Sequence, residues 1–124
     1  MLNQFLFYAG GTIVLIWGIA HLFPTKKIVK GFGEISNDNK HIITMEWIIE
    51  GAALIFIGVL VLGVTIISSN NDVAGFIYLS CASILFVLAV ISYFTGYKVN
   101  SLPFKLCPYL FSFSAALILI GYFN

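Results

Sequence analysis

Two carboxylates lie inside one of the most apolar stretches of the chain. Glu46 and Glu50 are four residues apart within residues 41–63, HIITMEWIIEGAALIFIGVLVLG, so they project from one face of a helix. A carboxylate in hydrocarbon costs about 2.5–3.5 kcal/mol at a helix centre, and such residues usually face a bundle interior, where they pair or mark a functional path. These two carboxylates are therefore the first candidates for chemistry.

A histidine and a tryptophan near the end of the first apolar segment are the candidate partners of these carboxylates. Trp17 and His21 are also four residues apart and project together. At a rise of 1.5 Å per residue from the ends of the apolar segments, the depths of His21 and Glu46 in the membrane differ by no more than about 5 Å. Trp17 lies nearer the depth of Glu50. Tyr93 enters the same half of the protein. A carboxyl group beside an imidazole fits an acid–base pair and a structural hydrogen bond equally well.

The composition places these residues in a membrane protein. Of the 124 residues, 60% are apolar and only 9% are charged, against about 25% charged in an ordinary soluble domain. A soluble domain of this size has too little interior to bury so much apolar surface. The formal net charge of +1 gives no indication of a nucleic-acid partner. The bilayer is the predicted environment.

Four apolar segments are long enough to cross a bilayer, which takes about 20 residues. They cover about residues 2–23, 42–67, 73–94 and 106–123 of a single domain, 1–124, and the fourth begins near Pro108, since proline suits a first helical turn. The short connection SSNND predicts that the second and third spans are antiparallel. Gly11 and Gly18, seven residues apart, predict a close approach of another helix. The predicted fold is an all-α membrane bundle of four helices with antiparallel neighbouring spans.

The lysines indicate the orientation of these spans. The chain has no arginine, and all six lysines lie in or beside the connections at residues 24–41 and 95–105. The connection between the second and third spans has none, nor does either terminus. The positive-inside rule therefore predicts that the two lysine-rich connections are cytoplasmic and that both termini face outward.

Metal and disulfide chemistry are both disfavoured by the spacing of the relevant residues. Four side chains are of metal-binding type: His21, His41, Glu46 and Glu50. The Glu-x-x-His pairs of di-iron helical bundles are missing, however, so no metal site is predicted. Cys81 and Cys107 form no CxxC motif and lie at different depths of the predicted bundle. Their separation should exceed the roughly 7 Å that a disulfide allows.

Residues 14–63 resemble a family of small membrane proteins. The segments GIAHLFPTKKIVKGFGEI and MEWIIEGAALIFIGVLVLG carry Gly18 before a polar residue, Phe32 with Gly33, and an E-G-x-x-L-x-x-x-G run that starts at Glu50. In these features the chain resembles the DoxX-like group. The resemblance implies a bundle of four helices, and some relatives are associated with quinone-linked sulfur oxidation or thiol redox chemistry. This chain differs from the group in having neither a CxxC motif nor the arginine commonly found early in it.

Three functional hypotheses follow from these residues, of which the third, proton-coupled transport, needs an oligomer or a wider path than four short spans leave inside one copy. In the first, a pocket near the cytoplasmic side binds a lipid- or quinone-like small molecule, with Glu50 as its polar anchor and His21 as the proton partner of Glu50. The candidate lining residues are Trp17, His21, Glu46, Glu50 and Tyr93. In the second, the protein is a non-catalytic accessory or assembly subunit whose carboxylates pair with a partner membrane protein or another copy. The residue types fit binding and catalysis alike, and they identify no cofactor.

Overall fold

The chain forms helices only, as the all-α prediction requires. The computed structural model describes residues 1–124 and contains five α-helices and one 3₁₀ turn, with no strand. The elements, in order, are α1 (Leu2–Leu22), α2 (Thr25–Gly31), α3 (Asn37–Ile67), α4 (Asp72–Phe94), the 3₁₀ turn (Gly96–Lys98) and α5 (Leu102–Phe123).

Four of these helices, α1, α3, α4 and α5, are long and apolar enough to cross a membrane. Only 24 of the 124 residues are buried, and many large apolar side chains lie exposed along the long helices. In water this surface would be strongly unfavourable, whereas in a bilayer it faces hydrocarbon. The four helices therefore fit a multi-pass integral membrane protein.

Two of the spanning helices begin earlier than the hydropathy pattern predicts. Helix α3 begins at Asn37 instead of residue 42, because the Ser36 hydroxyl caps it by accepting a 3.2 Å hydrogen bond from the Asn39 amide. Helix α5 begins at Leu102 instead of residue 106. Pro103 occupies the first-turn position expected of Pro108, which lies inside the helix and has no N–H to donate to the preceding turn.

Glycines bring α1 and α3 into close contact, as the spacing of Gly11 and Gly18 predicts. A Cβ added at Gly58 would lie 2.8 Å from the Leu15 backbone nitrogen and 2.9 Å from the Gly11 carbonyl oxygen. One added at Gly18 would lie 2.8 Å from the Ile55 nitrogen. Only glycine fits at these contacts without moving a backbone, so they fix the register of the two antiparallel helices.

The bundle has two different ends. At one end, called here the turn end, residues 68–71 join α3 to α4 as a tight antiparallel connection, and both chain termini lie beside it. There the hydroxyls of Thr65 and Tyr78 hydrogen-bond at 2.9 Å, and the Phe7 ring stacks on Tyr78 with centroids 3.8 Å apart. At the other end, called here the lysine-bearing end, lie α2 and the connection from α4 to α5.

The helices do not contact one another equally around the bundle. Helix α1 packs extensively against α3 and α5, and α4 packs against α5, whereas α3 and α4 contact each other only lightly. Since the tight connection and the Thr65–Tyr78 hydrogen bond hold α3 and α4 together at the turn end, the space between them lies toward the lysine-bearing end. A cavity of the protein occurs there.

Candidate functional site

A cavity of about 700 Å³ lies within the lysine-bearing end of the bundle. All four long helices contribute to its wall, and α2 and the α4–α5 connection contribute to its mouth. The residues that line the cavity include Trp17, His21, Lys27, Trp47, Glu50, Ser92, Thr95, Phe104 and Cys107. The volume is within the range of roughly 300–1,000 Å³ that is typical of small-molecule sites.

His21 and Glu50 form the polar pair of this cavity. His21 Nε2 lies 3.5 Å from Glu50 Oε2. The two side chains differ in burial, since that of His21 is 8% exposed and that of Glu50 is 45% exposed. At 3.5 Å the contact is longer than an ordinary hydrogen bond, and Nε2 has no other partner in the protein. The histidine therefore lies in the cavity wall behind Glu50, whose carboxylate is partly exposed.

Trp47 holds His21 in place. The indole and imidazole rings stack with their centroids 4.0 Å apart and their planes inclined by 14°. The indole Nε1 also donates a 2.7 Å hydrogen bond to the His21 carbonyl oxygen. On its other side Trp47 contacts the Phe104 ring of α5, at 5.6 Å between centroids. Trp47 thus fixes both the ring and the backbone of His21 and links α3 to α5 across the cavity.

The structure pairs His21 with Glu50, where counting depth from the segment ends pairs it with Glu46. Counting depth in this way assumes that α1 ends and α3 begins at the membrane surface. Helix α3 begins five residues before the predicted span, at Asn37, and is joined to α1 through α2. The register is set by packing instead: a Cβ at Gly51 would overlap the Leu22 side chain. This contact brings Glu50 level with the end of α1 and leaves Glu46 one helical turn, about 5.4 Å, beyond it.

The five predicted site residues fall into two groups. Trp17, His21 and Glu50 all line the cavity. Glu46 does not; it lines a shallow depression of about 310 Å³ on the outer face of α3, which Trp47 and Glu50 also line. Tyr93 is exposed and does not line the cavity either. It packs instead against Phe94 and Tyr97, with ring centroids 5.5 and 5.7 Å away.

No group of three or more His, Cys, Asp or Glu side chains is close enough to hold a metal ion. Both cysteines are free, with Cys81 buried and Cys107 partly buried in the cavity wall.

Comparison with known proteins identifies no family for this chain. No family model, curated protein or solved structure matches this chain. The resemblance to the DoxX-like group accordingly stays a prediction, and the function has to be argued from the cavity itself.

Two cavity residues, Trp47 and Cys107, are not among the five candidates that the sequence predicts. The spacing of Trp47 and Glu50 contains a usable signal, because residues three apart share a helix face. Cys107 carries no such signal, since its position depends on where α5 begins.

Proposed function

We propose that this membrane protein binds a lipid- or quinone-like amphiphile in the cavity at its lysine-bearing end. The observation that carries the proposal is the His21–Glu50 pair in the wall of an otherwise largely apolar cavity of about 700 Å³. A few placed polar groups in a mainly apolar concavity are the usual composition of a small-molecule site. The volume suits a single-chain lipid or one ring with a short tail.

The arrangement of the helices supports a ligand that comes from the bilayer. Helices α3 and α4 contact each other only lightly, and the cavity lies between the parts of these helices that carry Glu50 and Ser92. An amphiphile could therefore pass between α3 and α4 without crossing water. Under the positive-inside rule the lysine-bearing end is cytoplasmic, so the ligand would come from the cytoplasmic leaflet.

Filling the cavity tests the proposal. Ser92 lies in the cavity wall on α4, whereas Ser83 lies on the same helix, exposed and away from the cavity. We expect Ser92→Phe to reduce the binding of an added decyl-benzoquinone and of an added lysophospholipid at least fivefold, because a buried contact surface is lost. Ser83→Phe is the matched control and should leave binding unchanged. Native mass spectrometry of the protein released from nanodiscs counts bound molecules directly, and equal binding by both variants would contradict the proposal.

One observation favours a second candidate function. Glu46 is exposed among apolar side chains on the outer face of α3 and has no cation within 4 Å. A carboxylate in such a place suits pairing with a helix of another membrane protein, which is the arrangement expected of an accessory or assembly subunit. Native mass spectrometry of the protein purified from native membranes distinguishes the two candidate functions. A stoichiometric protein partner from native membranes would favour the accessory role, and a solitary chain with a bound amphiphile would favour the cavity.

A further inference from the structure

Glu50 is the polar group that the cavity wall presents to a bound molecule. Its side chain is 45% exposed, while His21 Nε2 is shielded from solvent behind it. One carboxyl oxygen of Glu50, Oε2, faces the imidazole at 3.5 Å. The approach to His21 is the only polar contact of this carboxyl group within the protein, so its second oxygen, Oε1, has no partner.

The location of the proton shared by His21 and Glu50 does not change what Oε1 can do. If the proton is on His21, then Nε2 donates toward Oε2 and Glu50 is a carboxylate, whose oxygens only accept hydrogen bonds. If the proton is on Oε2, directed at Nε2, then Oε1 is a carbonyl oxygen and again only accepts. As long as the pair shares a single proton, Oε1 is therefore an acceptor, and a bound molecule supplies the donor.

Several donors around Glu50 are already engaged or shielded. Trp47 Nε1, Thr95 Oγ1 and Cys107 Sγ each donate to a backbone carbonyl oxygen, at 2.7, 2.7 and 3.3 Å. Trp17 Nε1 has no partner, but it is shielded from solvent. The hydroxyls of Ser92 and Ser101 also line the cavity and can donate as well as accept, so the group that can only accept is the Glu50 carboxylate.

The charge in the cavity wall favours one class of donor. An ammonium group and a hydroxyl group can both donate to Glu50 Oε1. Lys27 also lines the cavity and has no acidic partner within 4 Å, so its positive charge repels a cationic amphiphile that binds there. A neutral hydroxyl group binds without that repulsion and still supplies the donor.

We propose that the cavity selects amphiphiles that carry a hydroxyl group, on an aliphatic chain or on a phenolic ring, and that this hydroxyl donates to Glu50 Oε1. The inference rests on the proposed function and makes it more specific. It disfavours molecules whose polar group only accepts, such as an ether, an ester or an oxidised quinone. Glu50 is the residue that determines this preference, and His21 is a positioning residue that holds Oε2.

The fluorescence of the protein itself can measure this preference. Trp17 and Trp47 are the only two tryptophans of the chain, and both line the cavity. Bound bromine quenches tryptophan fluorescence on contact, so a bromine-tagged probe reports occupancy without a label on the protein. The probes are a bromine-tagged dodecanol, a bromine-tagged alkylphenol and the methyl ether of each, added to the full chain in nanodiscs at equal mole fractions in the membrane.

We expect at least one hydroxyl probe to bind about tenfold more tightly than its methyl ether, which keeps the oxygen as an acceptor and loses only the donor. Which of the two hydroxyl probes shows the preference tells an aliphatic alcohol from a phenol. Glu50→Met replaces the carboxyl group by an apolar side chain of similar length and should bring the ratio close to one. Glu46→Met, the matched change one turn away and outside the cavity, should keep the ratio.

The possible failures of this experiment have different meanings. If each ether binds as tightly as its alcohol or phenol, the cavity still takes amphiphiles and the proposed function stands, but the hydroxyl preference is wrong. A preference that survives Glu50→Met would likewise overturn the role given to Glu50. If none of the four probes quenches in a saturable way, both this inference and the proposed function fail.

Discussion

Replacing Gly58 by alanine tests whether glycine contacts set the register of α1 and α3, on which the His21–Glu50 pair depends. The new Cβ would lie 2.7 Å from Leu15 Cβ, 2.8 Å from the Leu15 nitrogen and 2.9 Å from the Gly11 carbonyl oxygen. Two of these atoms belong to the backbone, so no side-chain rotation can relieve the overlap. The helices have to move apart.

The expected magnitude combines two opposing effects. Overpacking a well-packed contact costs about 1–3 kcal/mol, and we place this change in the upper part of that range because the backbone is involved. The intrinsic helix preference of alanine over glycine returns at most about 1 kcal/mol. Gly58→Ala should therefore lower the free energy of unfolding by roughly 1–2 kcal/mol, a five- to thirtyfold change in the folding equilibrium.

Gly63 is the matched control on the same helix. A Cβ added there meets nothing within 4 Å, so Gly63→Ala should leave the free energy of unfolding unchanged or raise it by up to about 1 kcal/mol. Reversible unfolding in mixed micelles with increasing amounts of sodium dodecyl sulfate, followed by tryptophan fluorescence, measures both variants. The packing argument is refuted if the two variants differ by less than about 0.5 kcal/mol, the usual size of a surface substitution effect.

Two further predictions concern the site and the orientation of the chain. Trp47→Phe keeps an aromatic ring against His21 but removes the 2.7 Å hydrogen bond to the His21 carbonyl oxygen. We expect the free energy of unfolding to fall by about 1 kcal/mol. An unchanged value in the micelle assay would speak against the positioning role of Trp47. Because every lysine lies toward one end, a membrane-impermeant maleimide should label Asn70→Cys, but not Lys98→Cys, on intact cells in a background without the native cysteines. The reverse labelling pattern would show the opposite orientation.

The number of spans and their approximate positions could be predicted from the sequence because the thickness of the hydrocarbon layer fixes the length of an apolar run. The positions at which the helices begin could not. Residues 37–41 of α3 are polar, so a hydropathy pattern assigns them to a connection, although the Ser36 cap starts the helix there. In α5 the sequence predicts Pro108 in the first turn, whereas Pro103 occupies that turn.

Three of the five candidate residues line one cavity, for a related reason. Trp17, His21 and Glu50 could be found because polar and aromatic residues in a span are costly to expose to hydrocarbon and tend to face inward. The rotation of each helix about its own axis cannot be read from its own sequence when all of its faces are apolar. Tyr93 illustrates the difficulty, since it lies near the lysine-bearing end of α4, as expected, but on an exposed face of that helix.

The geometry of Glu50 favours the proposed binding role over a structural hydrogen bond. A carboxyl group kept only to join two helices would have both oxygens satisfied within the protein, since an unpaired polar atom in hydrocarbon is expensive. Glu50 has one oxygen near His21 and the other without a partner, beside a cavity of about 700 Å³. His21, in contrast, is held by two separate contacts with Trp47. In the proposed site, the donor that the free carboxyl oxygen lacks within the protein would come from the ligand.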